Sequence, residues 1–455
     1  MPHGSTVAAA YPPGPPASWL SALTFEAGRN PLAFFGGLRR HGPLAHVAMG
    51  GEHVYLVSDP SDILDVLVTH QRSFKKGRGL ERSKRLLGEG LLTSEGEAHL
   101  RQRRLIQPAF HKERIASYAG AMTDHAMRVG RSWRPGQVVD VADEMMRLTL
   151  GVVGQTLFAA DVESQAKDVG DAMNDVMASF WTLMLPFANL IQHLPLPTIR
   201  RSRLARERLD SIVFGMIAQR RRAPGDRGDL LSVLLLAQDE EDGGRGMTDE
   251  QVRDEAMTLF LAGHETTANA LAWTWHLLGQ SPEVEAALHQ EVDRVLGGRR
   301  PTVADLGSLS YTERIVTESM RLYPPAWIIG RRALEDYPVG EYTLPAGSIL
   351  ITSPYLVHRD DRFFPSPERF DPDRWTPAFK TSLAPFAYFP FGGGTRRCIG
   401  ESFAWMELIL VVAALAQQWR LIPQPGHVVE PQAVVTLRLK HGLKMTPSPR
   451  PLRTG

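Results

Sequence analysis

The chain has 455 residues, 51 Lys and Arg against 50 Asp and Glu, and a single cysteine. That length buries a sizeable core, in one large domain or a few smaller ones, and near-neutral charge offers no special attraction for nucleic acid. One cysteine excludes an internal disulfide framework and every multi-cysteine zinc or iron–sulfur site, and it fits a reducing compartment.

The start, Met1 to Pro16, is proline-rich and has neither the basic region nor the apolar core of a signal peptide. Residues 1–20 are expected to be a poorly ordered leader. No apolar run is long enough to span a bilayer, and Leu408 to Ala416 is far too short. A cytoplasmic protein without a membrane anchor is expected.

Asn30 to Arg40 reads as a short helix. Leu44–Met49 and His53–Val57 read as a hairpin around Gly50-Gly51, and Asp59-Pro-Ser-Asp62 caps a helix to about Val68. Residues 71–92, rich in glycine and basic residues, read as a long loop of the kind that often serves as a lid. A basic helix, Ser94 to Phe110, sets His99 and Arg103 on one face. Amphipathic helical patterns follow at 115–133, 142–160 and 163–183. A bulky apolar cluster lies at 180–187, then an Arg-rich helix at about 198–222 and an acidic linker, Asp239 to Gly246.

The longest apolar helical pattern runs from Thr248 to Gly279, opened by a Thr248-Asp-Glu-Gln251 capping box. Its centre reads Ala262-Gly-His-Glu-Thr-Thr267, and polar groups buried there need partners. Gly263 removes bulk where a flat cofactor would pass. Thr266 can bond a carbonyl one turn back, loosening the helix and admitting water, with the ionisable Glu265 beside it. The two suit a proton relay. His264-Glu265 also opens the zinc-protease string H-E-x-x-H, but its fifth position is Ala268, so that chemistry is excluded. Helices at 282–295 and 309–322 follow, the second carrying Glu318 and Arg321. Tyr323-Pro-Pro325 stops it, and Ala326 to Ile329 extends as a strand. Short strands over Tyr342 to Leu356 precede irregular chain from His358 to Phe389.

Phe391-Gly-Gly-Gly-Thr-Arg-Arg-Cys-Ile-Gly400 then holds the cysteine, Cys398. A thiolate donates strongly to iron once deprotonated, shielded and fixed in direction. Consecutive glycines let the backbone turn tightly against a flat ligand. Phe391 can cover the sulfur, and Arg396 and Arg397 can reach acidic groups on the ligand rim. A helix over the apolar run Ser402 to Leu415 would aim its free N–H groups at the sulfur. Gln432 to Met445 reads as a final hairpin. The strings G-x-x-x-x-G-K and G-x-S-x-G are absent, which leaves nucleotide hydrolysis and serine hydrolysis without support.

The string F-G-x-G-x-R-x-C-x-G resembles the haem-ligand loop of the cytochrome P450 family, and A-G-x-E-T-T resembles its oxygen-activating helix. Glu318-Ser-Met-Arg321 and Pro367-Glu-Arg-Phe370 match two further landmarks in the family's order. The resemblance implies the P450 fold, mainly α with a small β-rich part. It implies one domain over 1–455, with haem b between the central helix and the helix after Cys398. It makes Cys398 the metal ligand and puts Ala262, Gly263, Phe391, Gly394, Arg396 and Gly400 against the haem. His99, Arg103 and Arg331, in preference to Arg332, would reach the propionates. Thr266 and Glu265 would be catalytic. Phe260, Trp327, Ile328, Val435 and Thr436 would line the substrate pocket, roofed by the 180–187 cluster. Glu318, Arg321 and Arg369 would form a buried structural trio.

The implied reaction is monooxygenation of a lipophile, by hydroxylation or epoxidation of a terpenoid, carotenoid, fatty-acyl chain or macrolide, with O2 as co-substrate. Electrons would come from NAD(P)H through a separate ferredoxin or flavodoxin-type donor, for which Arg104, Lys112 and Arg397 offer a basic patch. The lack of the N-terminal anchor of microsomal relatives suggests a bacterial-type enzyme. Two rivals share the loop: a haem-thiolate peroxygenase or isomerase, and a non-catalytic haem sensor or electron carrier.

Overall fold

Thr248 and Gln251 start the longest helix by the reciprocal capping their spacing predicts. Gln251 N–H donates to Thr248 Oγ1 at 3.2 Å, and Thr248 N–H donates to Gln251 Oε1 at 3.0 Å. The helix runs unbroken over Asp249–Gly279. The computed structural model describes residues 11–15, 28–49, 51–158, 172, 175 and 196–450. Most of the expected leader, nearly all of the 163–183 pattern and the 180–187 cluster lie outside the described residues. The chain divides into two units.

One unit comprises Arg82–Pro325, Glu368–Thr381 and Cys398–Gly455. The central helix is apolar around most of its circumference, so it is stable only where other elements cover it. The helices Val141–Phe158, Pro197–Arg222, Ser310–Leu322 and Glu401–Ala416 pack on it. Glu401–Ala416 is buried at every position from Leu408 onward and lies against Lys112–Ser132. The final hairpin is shorter than its sequence pattern. Pro431–Ala433 pairs only with Leu437–Leu439, and Lys444–Pro449 joins Trp419–Pro423 and Val139–Asp140 in a separate sheet. Gly442, at φ 69°, turns the chain there, and Leu443 N–H is captured by Asp140 Oδ1 at 2.9 Å.

The other unit comprises Met1–Glu81, Ala326–Pro367 and Ser382–Arg397. Among the described residues its main sheet orders Leu44–Met49, Glu52–Val57, Ile349–Thr352, Ile329–Ala333 and Phe74–Lys76. Tyr55, Leu67, Leu350 and Phe389 fill its core. The expected loop over 71–92 is largely ordered, as the strand Phe74–Lys76 and the helix Arg78–Leu87. The strand exists because Ile329–Ala333 pairs with it, a partner too distant in sequence for local pattern to announce.

Glu318 organises the chain ahead of the cysteine loop. Its carboxylate, wholly buried, accepts from Arg321 Nε and Nη2 at 2.8 Å each, and from Trp375 Nε1 at 2.8 Å. Arg374 Nε and Asp371 N–H add bonds of 3.0 Å each. The third arginine of the trio is therefore Arg374, not Arg369. Arg369 supplies only its carbonyl, to Arg321 Nη2 at 3.1 Å, while its side chain is exposed. Two similar strings, Pro367-Glu-Arg-Phe370 and Pro372-Asp-Arg-Trp375, stand five residues apart. The 3-10 turn Pro372–Arg374 brings the second arginine inward.

Removing one partner of a buried ion pair costs about 3–5 kcal/mol, whereas an exposed side chain contributes within about 0.5 kcal/mol. Arg374→Ala is therefore expected to lose most of the protein's stability and Arg369→Ala almost none, as read by urea denaturation of the purified protein.

Candidate functional site

From Glu255 to Leu278 only Ala262, Gly263 and Thr266 of the central helix are not buried. They share one face, being three and four residues apart. Thr266 Oγ1 donates to Ala262 O at 2.6 Å, and Thr267 Oγ1 donates to Gly263 O at 3.0 Å. The back-bonding that the sequence predicts is present, yet the helix stays continuous. Gly263 also serves the packing of the helix. A Cβ there would lie 3.2 Å from Val153 Cγ2, so its bareness admits the neighbouring helix.

Glu265 and Thr266 do not form a pair. Successive helical residues point about 100° apart, and Glu265, 4% exposed, turns to the hairpin. Its Oε1 accepts from Thr436 Oγ1 at 2.6 Å and from Arg438 Nε at 3.0 Å. The preceding His264 is buried too, and burial pushes its imidazole below the ordinary range. Thr149 Oγ1 bonds its carbonyl at 2.9 Å.

Cys398 is exposed, two residues ahead of Gly400, the N-cap of Glu401–Ala416. It thus sits at the positive end of that helix, where a negative sulfur is favoured. A Cβ on Gly400 would stand 3.6 Å from Phe110 Cε1 and 4.0 Å from Cys398 Sγ, so glycine keeps the sulfur's surroundings open. Phe110 escaped notice in the sequence, because nothing in its local pattern ties it to the cysteine. Glu407 escaped it too, inside an apolar run. It is fully buried, and desolvation pushes its carboxyl well above the usual range.

The helix Gly96–Ile106 carries His99, 2% exposed, and Arg103, half-buried. Arg104 is withdrawn from the expected basic patch, since its guanidinium is paired with Asp239 at 3.2 Å and Glu241 at 3.1 Å. Lys112 and Arg397 are exposed.

In the other unit, Gly392 and Gly394 have φ of 71° and 66°, a region that favours glycine. Gln71 Oε1 accepts from Thr395 N–H at 2.7 Å and from Thr395 Oγ1 at 2.8 Å, pinning the turn Gly394–Arg396. Phe391 and Arg396 are half-buried there. On the strand Ile329–Ala333, Arg332 is held by Glu81 at 3.5 Å and by Gly347 O at 3.3 Å. Arg331, on the opposite face, lies near Leu67 and Leu350.

Not every expected wall residue is open. Trp327, 4% exposed, packs on Phe35 and gives its carbonyl to Ser353 Oγ at 2.6 Å. Phe260 belongs to an apolar core beside the His264 ring, and Thr436 turns inward to Glu265. These three are buried, whereas Ile328 and Val435 are half-exposed.

Among the described residues no group of three or more His, Cys, Asp and Glu gathers to hold a metal. A metal bound by one thiolate must bring its other donors with it, as a porphyrin does. The exposed sulfur at a helix start, the bare Gly400 and the open face at Ala262 and Thr266 fit haem.

The family model described as Cytochrome P450 matches residues 12–446. Cyclooctatin synthase of Streptomyces melanosporofaciens is 42% identical over 424 residues, which is 93% of this chain and 92% of its own. Cyclooctat-9-en-7-ol 5-monooxygenase of the same organism is 41% identical over 404 residues, 89% of this chain and 88% of its own. The solved haem domain of cytochrome P450DA matches with a TM-score of 0.88 at 29% identity, covering 98% of this chain and 99% of that one. No helix among the described residues is long and apolar enough to cross a membrane.

A side chain at Gly394 would meet Leu67 O at 2.1 Å, while one at Gly392 meets nothing nearer than 3.7 Å. Both substitutions cost about 1–2 kcal/mol of backbone strain, but only the first also collides with main chain. Gly394→Ala is expected to purify with well under half the haem per chain, and Gly392→Ala with most of it, by the ratio of Soret to protein absorbance.

Proposed function

The chain belongs to the cytochrome P450 family and is a haem-thiolate monooxygenase, and from that premise we propose that it oxidises a terpenoid. It uses haem b and O2, with electrons derived from NAD(P)H. The substrate class is supported by a relative whose name states oxidation of cyclooctat-9-en-7-ol. Burial of apolar surface, at about 25 cal/mol per Å², is then the main source of affinity.

When bound, the haem supplies iron that activates O2, so that one oxygen atom enters the substrate and the other leaves as water. Cys398 Sγ would hold the iron, favoured as an anion by the helix start behind it. By the family resemblance, Arg103, Arg331, Arg396 and His99 would reach the propionates. Thr266 is the proton-handling residue. Its Oγ1 proton is engaged with Ala262 O at 2.6 Å, so its lone pairs are the part open to a donor such as water. Proton supply from Glu265 must use the oxygen that Thr436 and Arg438 leave untouched, by way of solvent. A separate ferredoxin delivers the electrons, with exposed Lys112 and Arg397 as candidate contacts, and the enzyme works in the cytoplasm.

What carries the proposal is an exposed thiol heading one helix that packs against another, the second helix being open between Glu255 and Leu278 only at Ala262, Gly263 and Thr266. Reduction under carbon monoxide should give the red-shifted Soret band of a thiolate-ligated haem, and Cys398→Ala should abolish it. Normal haem binding without Cys398 would remove the ligand assignment. With ferredoxin, its reductase and NADPH, Thr266→Ala should divert most electrons to peroxide while substrate still binds. Undiminished coupling in that variant would take Thr266 out of the mechanism.

A further inference from the structure

The hairpin Pro431–Ala433/Leu437–Leu439 is a two-stranded sheet of three residues a side. Such a hairpin is marginal alone, so its position depends on what anchors it. Its side-chain anchors come from one face of the central helix, at Glu265, Asn269 and Trp273, spaced by four, and Leu437 N–H also donates to Pro325 O at 3.0 Å. Asn269 Nδ2 donates to Thr436 Oγ1 at 3.1 Å, and Thr436 Oγ1 donates on to Glu265 Oε1 at 2.6 Å. Arg438 Nε meets the same oxygen at 3.0 Å, and Trp273 Nε1 donates to Leu437 O at 3.0 Å. A chain of bonds in which each member polarises the next holds its geometry better than separate contacts do. Glu265 is 4% exposed and Thr436 6% exposed, so neither has water as a ready substitute.

We propose that Thr436 and Arg438 are positioning residues: by clasping Glu265 they fix the hairpin tip at Val434 and Val435, and so determine which substrates the pocket accepts and how they lie. This gives the acid of the A-G-x-E-T-T string a second task, distinct from proton supply. It rests on the monooxygenase reading for its consequence at the substrate, but not for the clasp itself.

The test uses the haem-loaded protein with Thr436→Val, Arg438→Met and Arg438→Lys. Hydrogen–deuterium exchange reads the clasp, and spectral titration with imidazole and 4-phenylimidazole reads the pocket, since only the second probe must fit its ring against the wall. In Thr436→Val and Arg438→Met, amides of 434–439 are expected to exchange at least about tenfold faster. Affinity for 4-phenylimidazole should change at least about fivefold, with imidazole held within about twofold. Arg438→Lys, which keeps a cation at the rim, should restore most of the protection. Unchanged exchange in both disrupting variants overturns the clasp. Faster exchange with an unaltered ratio of the two affinities overturns the control of substrate fit. Failure of the wild-type protein to give the red-shifted carbon monoxide band would instead count against the monooxygenase reading, leaving the exchange result to judge the clasp.

Discussion

A buried carboxylate that keeps its charge needs donors at its oxygens, and Glu318 has them in full. Five N–H donors from Arg321, Asp371, Arg374 and Trp375 converge on its two oxygens. The unfavourable transfer of the charge from water is offset only when all of these groups arrive together. Glu318 therefore forces the segment Glu368–Thr381, otherwise short on regular structure, to close against the helix Ser310–Leu322. Without it that stretch would have few reasons to adopt one conformation.

The same principle acts at Glu265, with a different result. Here the donors come from a hairpin too small to hold itself, so satisfaction of a buried acid becomes a means of placing a mobile kind of element. The central helix thus has two polar sides within one turn. Thr266 bonds its own backbone and leaves lone pairs available on the open face, while Glu265 is committed to Thr436 and Arg438. Separating the alcohol from the acid means that any proton path between them runs through solvent.

Arginines that sequence lumps together are sorted by the same accounting. Arg104 is neutralised by Asp239 and Glu241, and Arg332 by Glu81, while Lys112 and Arg397 stay at the surface. A basic helix is thus no measure of a basic surface. Acids contributed from the Asp239 region decide how much positive charge the helix Gly96–Ile106 presents.

Motif resemblance was enough to point to the family, and local spacing to the long central helix with its capping box, the glycine turn and a cysteine set just ahead of a helix. Each depends on residues within about ten positions of one another, where spacing fixes geometry. Everything decided by partners far along the chain was closed to it. The strand Phe74–Lys76 needs Ile329–Ala333, and the choice of Arg374 over Arg369 needs the buried Glu318. The inward turn of Thr436 needs Glu265, and the covering of Trp327 needs Phe35. Sequence period tells which face of an element is apolar. Which polar atom on that face finds its complement is a matter of tertiary packing, because hydrogen bonds and ion pairs are short-ranged and the groups that make them meet only in the folded chain.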